Sequence, residues 1–98
     1  MKSIIPQREG RCFLCGKVAG GDPLDEHHVF GGANRKNSEK YGLKVYLHHN
    51  SCHIFGEKAV HKNKDTMRAI QKAVQKYAME YYSWSEDDFR KIFYRSYL

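Results

Sequence analysis

The chain contains no apolar run approaching the ~20 residues that a membrane-spanning helix requires, so none of its 98 residues reads as a transmembrane segment. Its first residues, Met1-Lys2-Ser3-Ile4-Ile5-Pro6-Gln7-Arg8, lack the apolar stretch of a secretory signal, which favours the cytosol and reduced thiols. Cysteine is scarce: three residues cannot all pair with one another, and in a reducing compartment Cys12-x-x-Cys15 reads as a zinc half-site before it reads as a disulfide. Repeats, low-complexity tracts and linkers are missing too, which leaves a single domain over residues 1–98. Histidine is absent from both flanks. All six histidines (27, 28, 48, 49, 53 and 61) fall in the middle of the sequence, and neutral imidazole is the commonest protein ligand for metals.

Charge of one sign is abundant. Seventeen Lys and Arg against eleven Asp and Glu leave a net +6, spread along the whole chain. A field of that sign favours a polyanionic partner, with nucleic acid the obvious one. At 41% hydrophobic residues the chain can build a core, but so short a protein gains from a structural metal.

The order of segments follows from local pattern. Residues 1–11 read as a polar arm, and 12–17 (Cys-Phe-Leu-Cys-Gly-Lys) as a zinc knuckle turned by Gly16. Gly20-Gly21-Asp22-Pro23 is a turn, and Leu24 to Phe30 a short extended stretch carrying His27 and His28. Gly31 to Ser38 reads as a glycine-led basic loop, and Leu43 to Leu47 alternates as a strand does. Residues 48–63 carry the remaining histidines, and Gly56 implies an interrupted helix or loop there. Residues 64–98 are helical: Met67, Ile70, Val74, Tyr77 and Tyr81 form one stripe, with Asp65 or Thr66 as the cap. The segment Ser83 to Asp88 ends that helix and starts another, with Ser85 and Asp88 as a capping pair and Phe89, Ile92 and Phe93 facing inward.

Three groups of residues carry chemistry. Cys12-x-x-Cys15 supplies half of a tetrahedral zinc site. Cys52 is the third ligand, and His49, three positions before it, is the fourth, with His48 as its substitute. His27 and His28 are neighbours at a strand end, where adjacent side chains point to opposite faces. One can therefore face a cation with His53 and His61, while His28 is left to accept a proton from water. Arg35, Lys36 and Lys40, behind the two glycines, can meet phosphates of a nucleic-acid backbone.

With these motifs together, Cys12-x-x-Cys15, then His27-His28-Val29-Phe30-Gly31-Gly32-Ala33-Asn34-Arg35, Ser38-Glu39-Lys40-Tyr41-Gly42-Leu43, Cys52-His53 and Ala59-Val60-His61-Lys62-Asn63, the chain resembles the HNH endonuclease family. More narrowly, it looks like small phage- and prophage-type HNH proteins. The resemblance spans roughly residues 12–63, and the closing Phe89 to Leu98 is similar as well. It implies an α+β fold with a ββα-metal (His-Me finger) core, a structural zinc knuckle and C-terminal helices over 64–98. It implies a metal-dependent DNA phosphodiester hydrolase in the cytoplasm of a bacterial host, with His27 as metal ligand, His28 as general base and His53 as the final histidine of the motif. The family's asparagine has four candidates, Asn34, Asn37, Asn50 and Asn63, of which Asn37 and Asn63 rank first. Two metals are expected: a structural Zn2+ and one catalytic divalent ion, Zn, Ni, Mn or Mg, with Mg least suited to imidazole. The partner is DNA, held by its backbone with weak sequence preference. The alternative is a non-catalytic zinc-stabilised module that binds nucleic acid.

Overall fold

The computed structural model describes residues 1–98 and shows an α+β fold around a two-stranded antiparallel sheet. Strand β1 (Leu24–His28) pairs with β2 (Lys44–His48) in a register that sets His27 opposite Val45 and His28 opposite Lys44. Alternation along β1 sends Asp25 and His27 to one face, and Glu26 and His28 to the other. No helix is long and apolar enough to cross a membrane.

The glycine-led basic segment is not a loop. A 3-10 turn over Gly32–Asn34 leads into helix α1 (Arg35–Tyr41). Arg, Lys and Glu are good helix formers, and Ser38 anchors the helix by accepting from Phe30 N (2.9 Å) and donating to Phe30 O (3.0 Å). Gly42 ends α1 in the left-handed region at φ 71°, where a Cβ would also lie 2.6 Å from the Lys2 carbonyl oxygen. The N-terminal arm is thereby pressed along β2, with Ile4 N donating to Gly42 O and Ser3 Oγ to Lys44 O.

After β2 the backbone makes one wide π-type turn over His49–Ile54, an element frequent at functional sites. Gly56 closes it so tightly that a Cβ there would fall 1.9 Å from Ser51 O. Helix α2 (Lys64–Tyr82) is capped by Asn63, not by Asp65 or Thr66: its Oδ1 accepts the amides of both, each at 3.0 Å. Ile70, Val74 and Ala78 are buried on α2, but Tyr81 at the end of the expected stripe is exposed, and buried Gln75 faces inward in its stead. A Ser83 turn leads to α3 (Glu86–Phe93), started by the Ser85–Asp88 capping box.

The core joins the sheet to the C-terminal helices. Leu43, Val45 and Leu47 of the β2 segment lie under Ile70, Val74, Phe89 and Phe93. Phe30 stacks among Phe89, Phe93 and Tyr97, with ring centroids 5.4, 5.0 and 4.8 Å away. This packing fixes the end of β1, and with it the two adjacent histidines.

Candidate functional site

Four groups of potential metal ligands lie about the sheet: the cysteines with His48, the three histidines 27, 53 and 61, Asp25 with His49 and His53, and Glu26 with His28 and Glu39. In the first, the Cys12–Gly16 turn docks on β2 through Phe13 N and Tyr46 O (2.8 Å), bringing both thiols to the strand end. The ligand atoms of Cys12, Cys15, His48 and Cys52 all lie within 4.8 Å of one another. His48 Nδ1 is 3.3 Å from Cys15 Sγ and 3.9 Å from Cys52 Sγ. A zinc tetrahedron with bonds of ~2.0–2.3 Å separates its ligand atoms by about 3.5 Å, so this set could hold a metal ion such as zinc.

The second-nearest partners point the same way. His48 Nε2 donates to the Val18 carbonyl (2.8 Å), which leaves the Nδ1 lone pair facing the sulfurs. Burial raises the Cys12 thiol, yet the backbone amides of Cys15, His48 and Leu14 outweigh it and bring the pKa down to about 7. Cys52 is pushed up to about 12, by burial first and then by the neighbouring Cys12 sulfur. Several thiolates cannot ionise side by side in a buried pocket without a cation, which a bound metal supplies.

His49 is not in this set, so the first choice for the fourth ligand is corrected to its substitute, His48. Chain direction decides it. At the end of β2 successive side chains point apart, and His49 turns to Asp25, with Nδ1 2.5 Å from Oδ2.

The second cluster is built on the other side. His27, His53 and His61 bring their ligand nitrogens within 4.8 Å of one another, and the Nε2 atoms of His53 and His61 are 3.0 Å apart. Asp25 shares the β1 face of His27, and its Oδ2 accepts from His53 Nδ1 at 2.9 Å. Hydrogen bonds from His53 and then His49 hold the Asp25 carboxyl below its usual range. An ionised carboxylate on Nδ1 fixes the tautomer whose Nε2 lone pair faces His61 and His27. Burial first, and then the neighbouring imidazoles, lower His27 to about 3, so it is neutral and able to ligate at ordinary pH. His61 is lowered for the same reasons, burial ahead of His53. His27 is buried, His53 half-buried and His61 exposed, so the cluster is closed at its base and open to solvent at its mouth.

His28 occupies the opposite β1 face. Its Nε2 lies 3.9 Å from Glu26 Oε1 and 3.7 Å from Glu39 Oε1, while Arg35 Nε approaches its Nδ1 at 3.5 Å. The two carboxylates are also shared with buried Lys44, whose Nζ is 2.8 Å from Glu39 and 3.4 Å from Glu26. Burial works against the Lys44 charge, but Glu39 and Glu26 outweigh it and raise the pKa.

An open cleft of about 1130 Å³ is lined by His27, His28, His53 and His61 together with residues of α2 and the C-terminal tail. Arg35 lines this cleft, whereas Lys36 and Lys40 are exposed beyond it and Lys40 Nζ lies over the Tyr41 ring. The asparagines have other tasks. Asn37 Nδ2 donates to Ile92 O (2.9 Å), Asn34 Nδ2 to Phe93 O (2.9 Å), and Asn63 caps α2. Neither Asn37 nor Asn63 borders the cleft. Residues outside any motif also lie here: Asp25, which its two-residue spacing from His27 could have marked, accepts from His53, and the α2 cations Lys64, Arg68 and Lys72 line the cleft. Scanned against family models, curated proteins and solved structures, the chain matches none.

Proposed function

We propose that the chain is a metal-dependent endonuclease of the HNH, ββα-metal type that hydrolyses DNA phosphodiester bonds. The observation that carries this reading is the meeting of three convergent imidazoles, His27, His53 and His61, with His28 at one basic cleft. A purely structural metal site is closed by four protein ligands; three ligands with an open mouth leave room for substrate and water.

Within this reading, Cys12, Cys15, His48 and Cys52 hold a structural zinc that ties the N-terminal knuckle to β2. His27, His53 and His61 hold a divalent cation, which when bound stabilises charge building on the phosphate. His28 takes a proton at Nδ1 from the attacking water, and the carboxylates of Glu26 and Glu39 on its Nε2 side favour the imidazolium so formed. The water oxygen forms the new bond to phosphorus, the bond to the 3′ oxygen breaks, and that oxygen is protonated from solvent. Arg35, which also lines the cleft and in this structure donates Nε to His28 Nδ1 at 3.5 Å, is placed to turn to a phosphate oxygen and so leave that nitrogen free to take the proton. Asn37 and Asn63 have no part in these steps.

The experiment is cleavage of supercoiled plasmid by protein that retains its knuckle zinc, with Mg, Mn, Ni or Zn added separately and His28→Ala beside it. Nicking that needs added metal and falls at least 100-fold in His28→Ala supports the reading, since general-base catalysis contributes ~10²–10⁴-fold. Cleavage by His28→Ala at the wild-type rate refutes the base. No cleavage with any metal, while the protein binds DNA and one zinc, makes it a non-catalytic zinc module.

A further inference from the structure

Helix α2 shares the lining of the cleft with the histidines. Lys64, Arg68 and Lys72 sit at i, i+4 and i+8 and so form one stripe along the helix. Arg95 joins them from the tail, and Arg35 faces them from α1. All five side chains belong to exposed residues, and none makes an ion pair with any carboxylate of the protein. The one acidic residue bordering the cleft, Glu26, is taken up by Lys44.

This stripe works against the helix that carries it. Like charges four residues apart repel, and Lys64 lies at the positive end of the helix dipole. The tail is ordered where it adds to the same charge. Gln75, fully buried, accepts from Tyr97 N (2.6 Å) and donates to Ser96 Oγ (2.9 Å), and the Arg95 guanidinium lies 4.6 Å over the Tyr97 ring. A concave wall of unpaired cations facing a histidine cluster fits a flexible polyanionic strand better than a flat anionic surface.

We propose that the α2 stripe of Lys64, Arg68 and Lys72, together with Arg95, is the seat of a nucleic-acid phosphate backbone and lays it across His27, His53 and His61. The proposal rests on the nucleic-acid reading of the cleft, and not on cleavage. It assigns the main electrostatic contact to α2, away from Lys36 and Lys40, which do not line the cleft.

The test is fluorescence anisotropy of a labelled oligonucleotide, single-stranded or duplex, titrated with full-length His28→Ala protein holding its knuckle zinc, at several salt concentrations. The stripe is removed by Lys64→Ala, Arg68→Ala and Lys72→Ala together; Lys17→Ala, Lys58→Ala and Lys91→Ala together change the charge equally off the cleft. Each phosphate contact contributes a slope of ~0.9 in log K against log salt for duplex and ~0.7 for a single strand. The stripe variant is expected to lose about 2–3 from the slope and more than tenfold in affinity, and the control variant less than about 1 and threefold. The same set made as glutamine substitutions, checked by circular dichroism and zinc content, guards against a folding artefact. Equal weakening by both variants, or none by the stripe variant, overturns the proposal. A stripe-dependent slope, with no cleavage by the wild-type protein in the presence of any added metal, supports this site while removing the nuclease reading. Cleavage with no stripe dependence does the reverse.

Discussion

Replacing Asp25 by Asn should strip the His27–His53–His61 cluster of most of its metal affinity and leave the cysteine cluster intact. The Asp25 carboxylate oxygen receives His53 Nδ1 at 2.9 Å and His49 Nδ1 at 2.5 Å, so one charged acceptor orients two imidazoles. Asparagine is isosteric but neutral, and its amide can rotate to donate instead of accept. In that arrangement His53 holds its proton on Nε2, the nitrogen facing His61, and cannot ligate. Loss of an outer-shell partner of this kind costs ~10–100-fold in metal affinity, which is about 1.4–2.8 kcal/mol. The upper part of that range is expected, because Asp25 is the one acceptor at His53 Nδ1. The assay is competition for Co2+ or Ni2+ against a chromophoric chelator, using protein already loaded with one zinc. Second-site affinity should fall by at least tenfold in Asp25→Asn, while the zinc content of the first site stays at one per chain. Unchanged second-site affinity would refute the orienting role. Equal loss from both sites would mean that Asp25 supports the fold and not the imidazole.

Further perturbations separate other parts of the argument. His48→Ala should abolish tight zinc binding while His49→Ala keeps it, read by zinc stoichiometry after dialysis; the opposite pattern would sink the ligand assignment. Gly42→Ala should destabilise the protein by about 2 kcal/mol or more in chemical denaturation, because a left-handed φ of 71° and a 2.6 Å approach to Lys2 O both act against a Cβ. Asn63→Ala should cost about 1 kcal/mol through its lost cap, with second-site metal affinity unchanged, as expected of a capping residue. His27 gives a pH signature. Its pKa falls from 6.5 unfolded to about 3 folded, so the unfolded chain binds the extra proton in between. Its contribution is complete above about 6.5 and is lost as pH falls towards about 3. Denaturation of protein without second-site metal should therefore show a shallower pH slope in that window for His27→Gln than for wild type.

The parts of the fold visible from sequence are those set by local spacing. The Cys12-x-x-Cys15 turn, the short β1 and β2, and the capping box at Ser85 each depend on residues within a few positions, and the structure has them. The departures arise where a distant contact overrides a local signal. Two glycines and a basic run at 31–38 look like a loop until Ser38 is tied to Phe30 on both its backbone groups. Tyr81 keeps helical spacing with Val74, but α2 outruns its partners and leaves the ring in solvent. Gln75 is buried because the tail returns across it, which periodicity along α2 cannot reveal.

The candidate site divides in the same way, and the division explains why one histidine had to be exchanged for its neighbour. The spacing between His49 and Cys52 matches that between Cys12 and Cys15, so counting along the chain selects His49. In the fold, β2 continues through His48, and strand pleat directs that side chain to the sulfurs and the next one to Asp25. The consequence is mechanical. His48 belongs to the cysteine cluster and His49 leans on the carboxylate that orients His53, and Cys52 and His53 are neighbours as well, so two peptide bonds join the two clusters. A metal that orders the knuckle is therefore expected to steady both of Asp25's imidazole partners and so to pre-organise the second cluster. Removing zinc from the first site should weaken metal binding at the second even though no ligand is shared. His49→Ala, which removes one of the two links while leaving the Cys12, Cys15, His48 and Cys52 set whole, should make second-site affinity less dependent on zinc; an unchanged dependence would mean that the Cys52–His53 link carries all of it.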